Sequence, residues 1–310
     1  MIPLIIFSKN RAMQLDLLLR SIKKNCPIFH PYVVFKTTSD EFQRGYDKLI
    51  DRMILPATWK VETSIREDLL HFLGGYELFG IATDDCVFYK RLDLKKEEVE
   101  RYLDDETFCV SLRMGLNNKI QNYQTGEEQL KIEHYECLNR EPFEQGKTIG
   151  QFIKWHWKSY PPHSNPGYPM GQDGHIFRSR DWLELFKSKI GFTNMRDIES
   201  GMVNHRMDIM KEYMVAPKHS VLVNIPANNM QEPIIENQFN SHSAEELNER
   251  YLKGEIIQLN AIEHEFIKGC HQAIKYKFDD RPEDVRNHIE ELLEKCRQWE
   301  ISQEELESLE

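Results

Sequence analysis

The stretch YELFGIATDDC, residues 76–86, decides the fold. Its first part, Tyr76–Ala82, is apolar apart from one glutamate and predicts a buried β-strand. Two adjacent carboxylates, Asp84 and Asp85, follow directly after this strand. Open α/β sheets bind their ligands outside the carboxyl ends of the strands. The position of the acid pair therefore predicts a ligand site at one edge of a sheet.

Strand-like and helix-like segments alternate along the first half of the chain. Ile2–Phe7 and Tyr32–Phe35 are apolar runs that predict two strands, and leucines at helical spacing lie between them. Ser64 and Glu67 have the spacing of a capping box, which predicts the start of another helix. Such alternation is typical of an α/β fold with a mainly parallel central sheet flanked by helices, the Rossmann-like arrangement.

The composition divides the chain into two regions. We predict an α/β domain over residues 1–240 and a mainly helical C-terminal extension over residues 241–310. Within the extension, a helix with one apolar face is predicted to start at Pro282. That face predicts docking on the body of the protein or on a partner, including a second copy of the chain in a homo-oligomer. Residues 114–150 are polar and lack periodicity, which is typical of a functional or mobile loop.

The overall charge limits the classes of partner. The 310 residues carry a formal net charge of −11, so the surface as a whole repels nucleic acid and anionic lipid headgroups. The six cysteines are scattered without a metal-finger spacing, which favours a reducing compartment. The sequence has no apolar run long enough for a membrane-spanning helix. We therefore expect a cytoplasmic protein, at most peripheral to the inner face of the membrane.

Adjacent carboxylates after a buried strand repel each other unless a positive charge offsets them. A divalent cation does this well, and hard oxygen ligands select Mg²⁺ or Mn²⁺. The pattern thus predicts a metal site at Asp84 and Asp85. The alternative is that Asp84 caps a helix and Asp85 is solvated.

Two polar segments carry a resemblance to a known family. Ser8-Lys9-Asn10-Arg11 follows the first predicted strand, and Thr83-Asp84-Asp85-Cys86 looks like a D-x-D motif. Together they resemble the GT-A nucleotide-sugar glycosyltransferases, most closely the family 2-like members. The resemblance implies that the two aspartates contact the ribose and the metal ion of a bound donor. Cys86 departs from this pattern, because the family usually has a third acidic residue there.

Two later segments extend the resemblance over roughly residues 1–240. Gly171–Arg178 is similar to the acceptor-side segment of these enzymes, and Thr193–Glu199 to the region that supplies their catalytic carboxylate. An inverting transfer needs a general base beside the acceptor hydroxyl. Glu199 is the first candidate and Asp173 the second. The alternatives are a helix first-turn acid for Glu199 and a turn-stabilising role for Asp173.

The candidate donor-binding residues come from the polar segments that carry the resemblance and from the end of the strand predicted at Phe108–Arg113. They are Ser8, Asn10, Arg11, Asp84 and Arg113. Cations in this set would stabilise the charge of the departing nucleoside diphosphate. Many family members also use a late histidine as a metal ligand, and His219 and His242 are the candidates for it; the alternative is a core or surface role for both.

The resemblance implies metal-dependent transfer of a sugar from a UDP- or GDP-type nucleotide-sugar to a saccharide or lipid-linked acceptor, as in polysaccharide biosynthesis. Two alternatives stay open. One is a sugar-nucleotide nucleotidyltransferase, although that class has a glycine-rich phosphate loop after its first strand and residues 8–11 contain no glycine. The other is a non-catalytic binding or assembly protein with the same fold.

Overall fold

The computed structural model describes residues 1–138, 152–188, 190–228 and 242–281. The helix predicted from Pro282 and its proposed role in a homo-oligomer lie outside these residues. No helix in the described ranges is both long enough and apolar enough to cross a bilayer.

Fifteen strands are present in the described ranges. They are β1 (Ile2–Lys9), β2 (Phe29–Lys36), β3 (Thr58–Val61), β4 (Leu78–Thr83), β5 (Cys86–Phe88), β6 (Thr107–Ser111), β7 (Ile120–Asn122), β8 (Glu127–Glu128), β9 (Glu136–Leu138), β10 (Phe152–His156), β11 (His175–Arg178), β12 (Tyr213–Pro217), β13 (Leu222–Asn224), β14 (Ile256–Ile257) and β15 (Phe278–Asp279). Nine of them form the central sheet, in the order β3-β2-β1-β4-β11-β6-β12-β10-β9. Only β11 and β10 run against the other seven, so the predicted mainly parallel sheet is confirmed.

Helices cover both faces of this sheet. Those in the described ranges are α1 (Ala12–Asn25), α2 (Asp40–Asp51), α3 (Ile65–Gly75), α4 (Lys96–Tyr102), α5 (Ser179–Ser188), α6 (Met195–Asn204), α7 (Ala244–Leu252) and α8 (Leu259–Glu263). One apolar cluster contains Leu18 of α1, Tyr46 of α2 and Leu247 of α7. A second contains Phe72 of α3 and Trp182 of α5. Two apolar clusters against one sheet are what an α/β fold requires, and the predicted fold class is confirmed.

Local sequence signals set the helix starts. Ser64 accepts a hydrogen bond from the backbone N–H of Glu67 at 3.4 Å, as its capping pattern predicts, and Ser39 caps α2 in the same way. Asn194 caps α6 by accepting from the N–H of Asp197 at 3.0 Å. These three helices, α2, α3 and α6, therefore begin after residues whose side chains satisfy exposed backbone donors.

The register of β1 and β4 aligns two polar segments at one edge. The strands are parallel, with Phe7 opposite Thr83, so the residues just beyond them lie side by side. This arrangement places Ser8 next to Asp84. The strand predicted at Tyr76–Ala82 is β4, and the acid pair follows it directly.

The described part of the C-terminal extension packs on the body. Asn248 of α7 donates a hydrogen bond to the carbonyl of Glu41 at 2.8 Å, and Lys24 of α1 forms an ion pair with Glu263 of α8 at 2.5 Å. Beyond α8 the chain reaches β13, where His271 forms a parallel bridge with Asn224 at the end of that strand. Docking on the body is thus the observed arrangement for residues 242–281, while the domain boundary near residue 240 stays a prediction.

The polar segment 114–150 is not structureless in its described part. It contains β7 and β8, which pair with each other, and β9, which adds to the edge of the central sheet beside β10. These strands have three residues or fewer. Strands this short have too few residues to show a hydrophobic period, so the sequence gives no sign of them.

Candidate functional site

Asp84 lies at the edge of the sheet where the carboxyl ends of β1 and β4 meet, and hydrogen-bond donors surround its side chain. One carboxylate oxygen, Oδ2, accepts hydrogen bonds from the Ser8 hydroxyl at 2.8 Å and the Lys9 backbone N–H at 3.2 Å. The other, Oδ1, accepts from Nη1 of Arg11 at 2.8 Å. The Asp84 side chain is only 3% exposed. Burial raises the pKa of Asp84 to about 6, with the charge of Asp85 adding to the effect and that of Arg11 opposing it.

Arg11 joins the acid pair to a distant part of the chain. The same Nη1 atom contacts Oδ2 of Asp85 at 3.2 Å, so one guanidinium bridges both carboxylates. Its other side donates to the backbone carbonyl of Asn228 and, at 2.8 Å, to the side-chain oxygen of that residue. Burial disfavours the charged guanidinium, but the charges of Asp84 and Asp85 outweigh it and raise the pKa of Arg11. Arg11 is therefore a permanent cation against the acid pair.

Asp85, Cys86 and Asp173 form a group that could hold a metal ion, since their ligand atoms lie within 4.8 Å of one another. The hydroxyl of Thr83 lies between the two carboxylates, 2.7 Å from an oxygen of Asp85 and 2.8 Å from an oxygen of Asp173, and can donate its one proton to either. The amide of Asn224 also donates to Asp85 at 2.7 Å.

The chemistry of this donor set fits Mg²⁺ or Mn²⁺ only in part. Carboxylate oxygens, as in Asp85 and Asp173, are the ligands these ions prefer. The thiol of Cys86 is a poor ligand for them, and burial together with the nearby carboxylates raises its pKa well above the ordinary value, so it stays protonated. Asp85 and Asp173 are thus the residues that fit the predicted ion, and Asp84 is engaged by Arg11.

Asp173 is the centre of a second charged group. Its Oδ2 atom accepts from Nη1 of Arg113 at 3.1 Å and lies 3.2 Å from Nε2 of His271. Burial would raise the pKa of Asp173, but the hydrogen bond and charge of His271 and the charge of Arg113 hold it well below its usual range. Asp173 is therefore ionised at neutral pH and is a poor proton acceptor.

Glu199 has the opposite electrostatic environment. It lies in the second turn of α6, and Oε1 accepts a hydrogen bond from the backbone N–H of Gln172 at 3.2 Å. Burial, with the negative charge of Asp173 next in importance, raises the pKa of Glu199 to about 7. The first-turn acid of this helix is Asp197, which accepts from Thr193 and Asn194. The first-turn alternative for Glu199 therefore does not describe its position.

Most of the predicted site residues lie together at this edge. They are Ser8, Arg11, Asp84, Asp85, Arg113, Asp173 and Glu199, linked through the contacts given above. Asn10 is placed differently, because its side chain donates to and accepts from Thr38 at 2.7 and 3.0 Å. Asn10 has a positive φ of 59°, a conformation that asparagine tolerates well. Its contacts stabilise the loop after β1, and its predicted role in donor binding stays a prediction.

Three residues at the site have no recognisable signal in the sequence. Asn224 ends the short strand β13, and His271 and Tyr276 belong to the C-terminal extension. Burial and the charge of Asp85 raise the pKa of Tyr276 above its ordinary value. Of the two histidines considered from the sequence, His242 pairs with Glu246 on α7 at 3.0 Å. His271, which no pattern in the sequence indicates, contacts the predicted site residue Asp173.

The comparisons with known proteins give structural similarity only. No protein-family model matches the sequence, and no curated protein matches it. The chain is similar to the mannosyltransferase PcManGT from Pyrobaculum calidifontis in complex with GDP-Man and Mn²⁺, with 14% identity, 74% of this chain and 58% of that chain covered, and a TM-score of 0.42. It is also similar to S. aureus TarS 1–349 in complex with UDP, with 11% identity, 70% and 57% of the two chains covered, and a TM-score of 0.38. In both comparisons the matched region spans less than two thirds of the neighbour's own chain.

Proposed function

We propose that this protein is a glycosyltransferase that moves a sugar from a UDP- or GDP-type nucleotide-sugar to a hydroxyl group of a saccharide or lipid-linked acceptor. The observation that carries the proposal is the meeting, at one sheet edge, of a carboxyl group with a pKa of about 7, an acid pair and two buried guanidinium groups. These are the parts that a direct displacement at an anomeric carbon needs.

Glu199 is the proposed general base. A carboxyl group with a pKa near the working pH is ionised in a large fraction of molecules and still binds a proton well. In the proposed step the acceptor oxygen attacks the anomeric carbon while its proton passes to Glu199. The bond between the anomeric carbon and the diphosphate oxygen breaks, and the configuration at that carbon inverts.

Asp173 is the weaker candidate for the base. Its hydrogen bond with His271 and its ion pair with Arg113 keep it charged, so it has little tendency to accept a proton at neutral pH. Its more suitable role is to orient Arg113 toward the leaving group. The second choice made from the sequence thus orients Arg113 and offers an oxygen ligand to the metal ion in this proposal.

Positive charge at the edge would stabilise the departing diphosphate. Arg113 is 3% exposed, so its field is little screened by water. A bound Mg²⁺ or Mn²⁺ would supply further positive charge to the diphosphate, and Asp85 and Asp173 would hold it. Ser8 and Asp84 border the same edge and are proposed to contact the nucleoside part of the donor.

A donor screen tests the proposal. The protein is incubated with UDP- and GDP-sugars in Mn²⁺ or Mg²⁺, and released nucleoside diphosphate is measured with and without simple saccharide acceptors. We expect release with at least one donor, and its loss in Glu199→Gln. Asp197→Asn is the matched control, because it makes the same change of acid to amide on the same helix at a position outside the group of site residues.

The screen also separates the alternatives. A nucleotidyltransferase would form pyrophosphate from a nucleoside triphosphate and a sugar phosphate, and would release no diphosphate from nucleotide-sugars. A non-catalytic binding protein would release neither product. Either result, or unchanged release in Glu199→Gln, would contradict the proposal.

A further inference from the structure

Arg11 already occupies the position beside the acid pair where the sequence predicts a metal ion. Its Nη1 atom lies 2.8 Å from Asp84 and 3.2 Å from Asp85. Its side chain is 11% exposed, and the two carboxylates are 3% and 10% exposed. Interactions between charges this well shielded from water are much stronger than those on the surface. The acid pair is therefore partly neutralised before any ligand arrives.

The remaining contacts of Arg11 hold it in this position. Nε and Nη2 both donate to Asn228, whose side-chain oxygen also accepts from Gln14 at 3.3 Å. With both sides of the planar group engaged, the guanidinium cannot leave the carboxylates without also losing hydrogen bonds to neutral acceptors. Arg11 is thus a fixed counter-ion.

The formal charges at the edge show what this fixed cation does to metal binding. Asp84, Asp85 and Asp173 contribute three negative charges, and Arg11 and Arg113 contribute two positive ones. Glu199, with a pKa of about 7, adds a partial negative charge. A divalent ion added alone would turn this set from net negative to net positive. A nucleoside diphosphate added alone would make it strongly negative. Only the two together return the set close to its starting charge.

We infer that Arg11 acts as a built-in competitor of the divalent ion, so that the metal binds weakly by itself and tightly only together with the diphosphate of the nucleotide. This inference deepens the proposed function and rests on its metal and nucleotide site. Arg11 lowers the affinity for the free ion because it shares Asp85 with that ion and repels it. The diphosphate offsets the repulsion, and the coupling is reciprocal: the metal strengthens nucleotide binding by the same factor.

The test measures Mn²⁺ binding by isothermal titration, with and without UDP or GDP. In the unchanged protein we expect either nucleotide to strengthen Mn²⁺ binding at least about tenfold. In Arg11→Met we expect binding of Mn²⁺ alone to strengthen at least about tenfold, because a unit charge close to the ion has been removed. The effect of the nucleotide should then shrink to a few-fold.

Arg44→Met is the matched control. Arg44 is 62% exposed and pairs with Glu41 on the surface of α2, so this variant loses the same charge away from the acid pair. Its Mn²⁺ affinity should equal that of the unchanged protein. The inference is overturned if Arg11→Met binds Mn²⁺ alone no more tightly than Arg44→Met does.

Thermal melting provides a second readout that needs no nucleotide. Arg11→Met leaves two adjacent carboxylates without their counter-ion, so it should melt at a lower temperature than Arg44→Met in EDTA. Addition of Mn²⁺ should raise the melting temperature of Arg11→Met by more than it raises that of Arg44→Met or of the unchanged protein. An equal Mn²⁺ effect in all three proteins contradicts the inference.

A variant that keeps the charge covers a failure of Arg11→Met to fold. Arg11→Lys retains a cation but cannot bridge both carboxylates as a planar fork. It should bind Mn²⁺ alone with an affinity above that of the unchanged protein, and an unchanged affinity overturns the inference. Failure of the donor screen together with these Mn²⁺ results would reject glycosyl transfer and leave the role of Arg11 intact.

Discussion

Glu199 changes its charge near neutral pH, because burial raises its pKa to about 7. A general base must be ionised, so the transfer rate should rise as the pH increases through about 7 and then level off. Glu199→Gln should lower turnover by about two to three orders of magnitude and leave donor affinity within about twofold. Initial rates and donor binding, measured from pH 5.5 to 8.5, check both expectations.

The control variant Asp197→Asn is measured over the same pH range. Asp197→Asn should keep the pH dependence of the unchanged protein, because Asp197 is bound to the cap of its own helix. A rate that rises through pH 7 equally in Glu199→Gln would assign the titrating group to another residue.

Asp85 is the carboxylate of the acid pair that also faces Asp173, through the hydroxyl of Thr83. Asp85→Asn should weaken Mn²⁺-dependent binding of UDP or GDP at least about tenfold, because it removes a charged oxygen ligand. Titration calorimetry with and without Mn²⁺ measures the effect. Asp105→Asn makes the same change at an exposed loop position and should leave binding unchanged. Equal binding by the two variants would exclude Asp85 as a ligand.

At the scale of single elements, the turn before β11 places Asp173 and depends on a glycine. Gly174 has a φ of +73°, and a Cβ atom there would lie 2.7 Å from Cδ1 of Leu222. Its N–H donates to Ile81 and its carbonyl accepts from Leu112, so the turn is joined to β4 and to the residue after β6. The turn therefore cannot shift without disturbing two strands of the site.

Gly174→Ala should lower the free energy of unfolding by about 2 kcal/mol or more, through backbone strain combined with the clash. Gly126→Ala is a matched control with nearly the same φ, +71°, and no atom within 4 Å of the added carbon. It should cost about 1 kcal/mol, since only the backbone term applies. Urea denaturation of both variants measures the difference, and equal losses would show that the contact with Leu222 is unimportant.

The elements that the sequence predicts well are those with a local signal. The strand before the acid pair and the cap at Ser64 depend on residues close together in sequence, and the position of the acid pair depends on the common geometry of sheet edges. His271 could not be predicted in this way, since it reaches Asp173 across 98 positions of the chain. A single histidine in a polar segment has no pattern that indicates such a contact.

Asn10 is a motif residue whose side chain does not contact the same group as its neighbours in the motif. The resemblance groups it with Ser8 and Arg11, and both of these contact Asp84. The chain turns at Asn10 with a positive φ, which directs its amide to Thr38. A motif gives the order of residues along the chain, but the backbone conformation decides which of them face the same point.

At the scale of the whole molecule, the site is a product of the complete described chain. Arg11 follows β1, Asp85 follows β4, Arg113 follows β6, and His271 comes from the extension that first packs on α1 and α2. Charged groups that are far apart in sequence are brought into a shielded edge where their pKa values shift in opposite directions. The free-energy cost of burying these charges therefore arises only when all of these elements are folded together.

That cost makes the stability of the protein depend on pH in a defined direction. Glu199 has a pKa of about 7 when folded and an ordinary value of 4.5, so the folded state binds more protons between these two values. Its contribution to stability is present below about pH 4.5 and is lost as the pH rises through about 7. Asp84, whose pKa is also raised, acts in the same direction. Asp173, whose pKa is lowered, contributes above its ordinary value of 3.8 and so stays constant over this range.

Urea denaturation in EDTA at pH 5 and pH 8 measures this dependence. Glu199→Gln cannot titrate, so the loss of unfolding free energy between the two pH values should be smaller in the variant by about 2 kcal/mol. Asp197→Asn should keep the loss seen in the unchanged protein, because the carboxylate of Asp197 is stabilised by hydrogen bonds and stays ionised throughout. If Glu199→Gln loses as much free energy as Asp197→Asn does, Glu199 titrates at an ordinary pKa, and its assignment as a base poised near neutral pH fails with it.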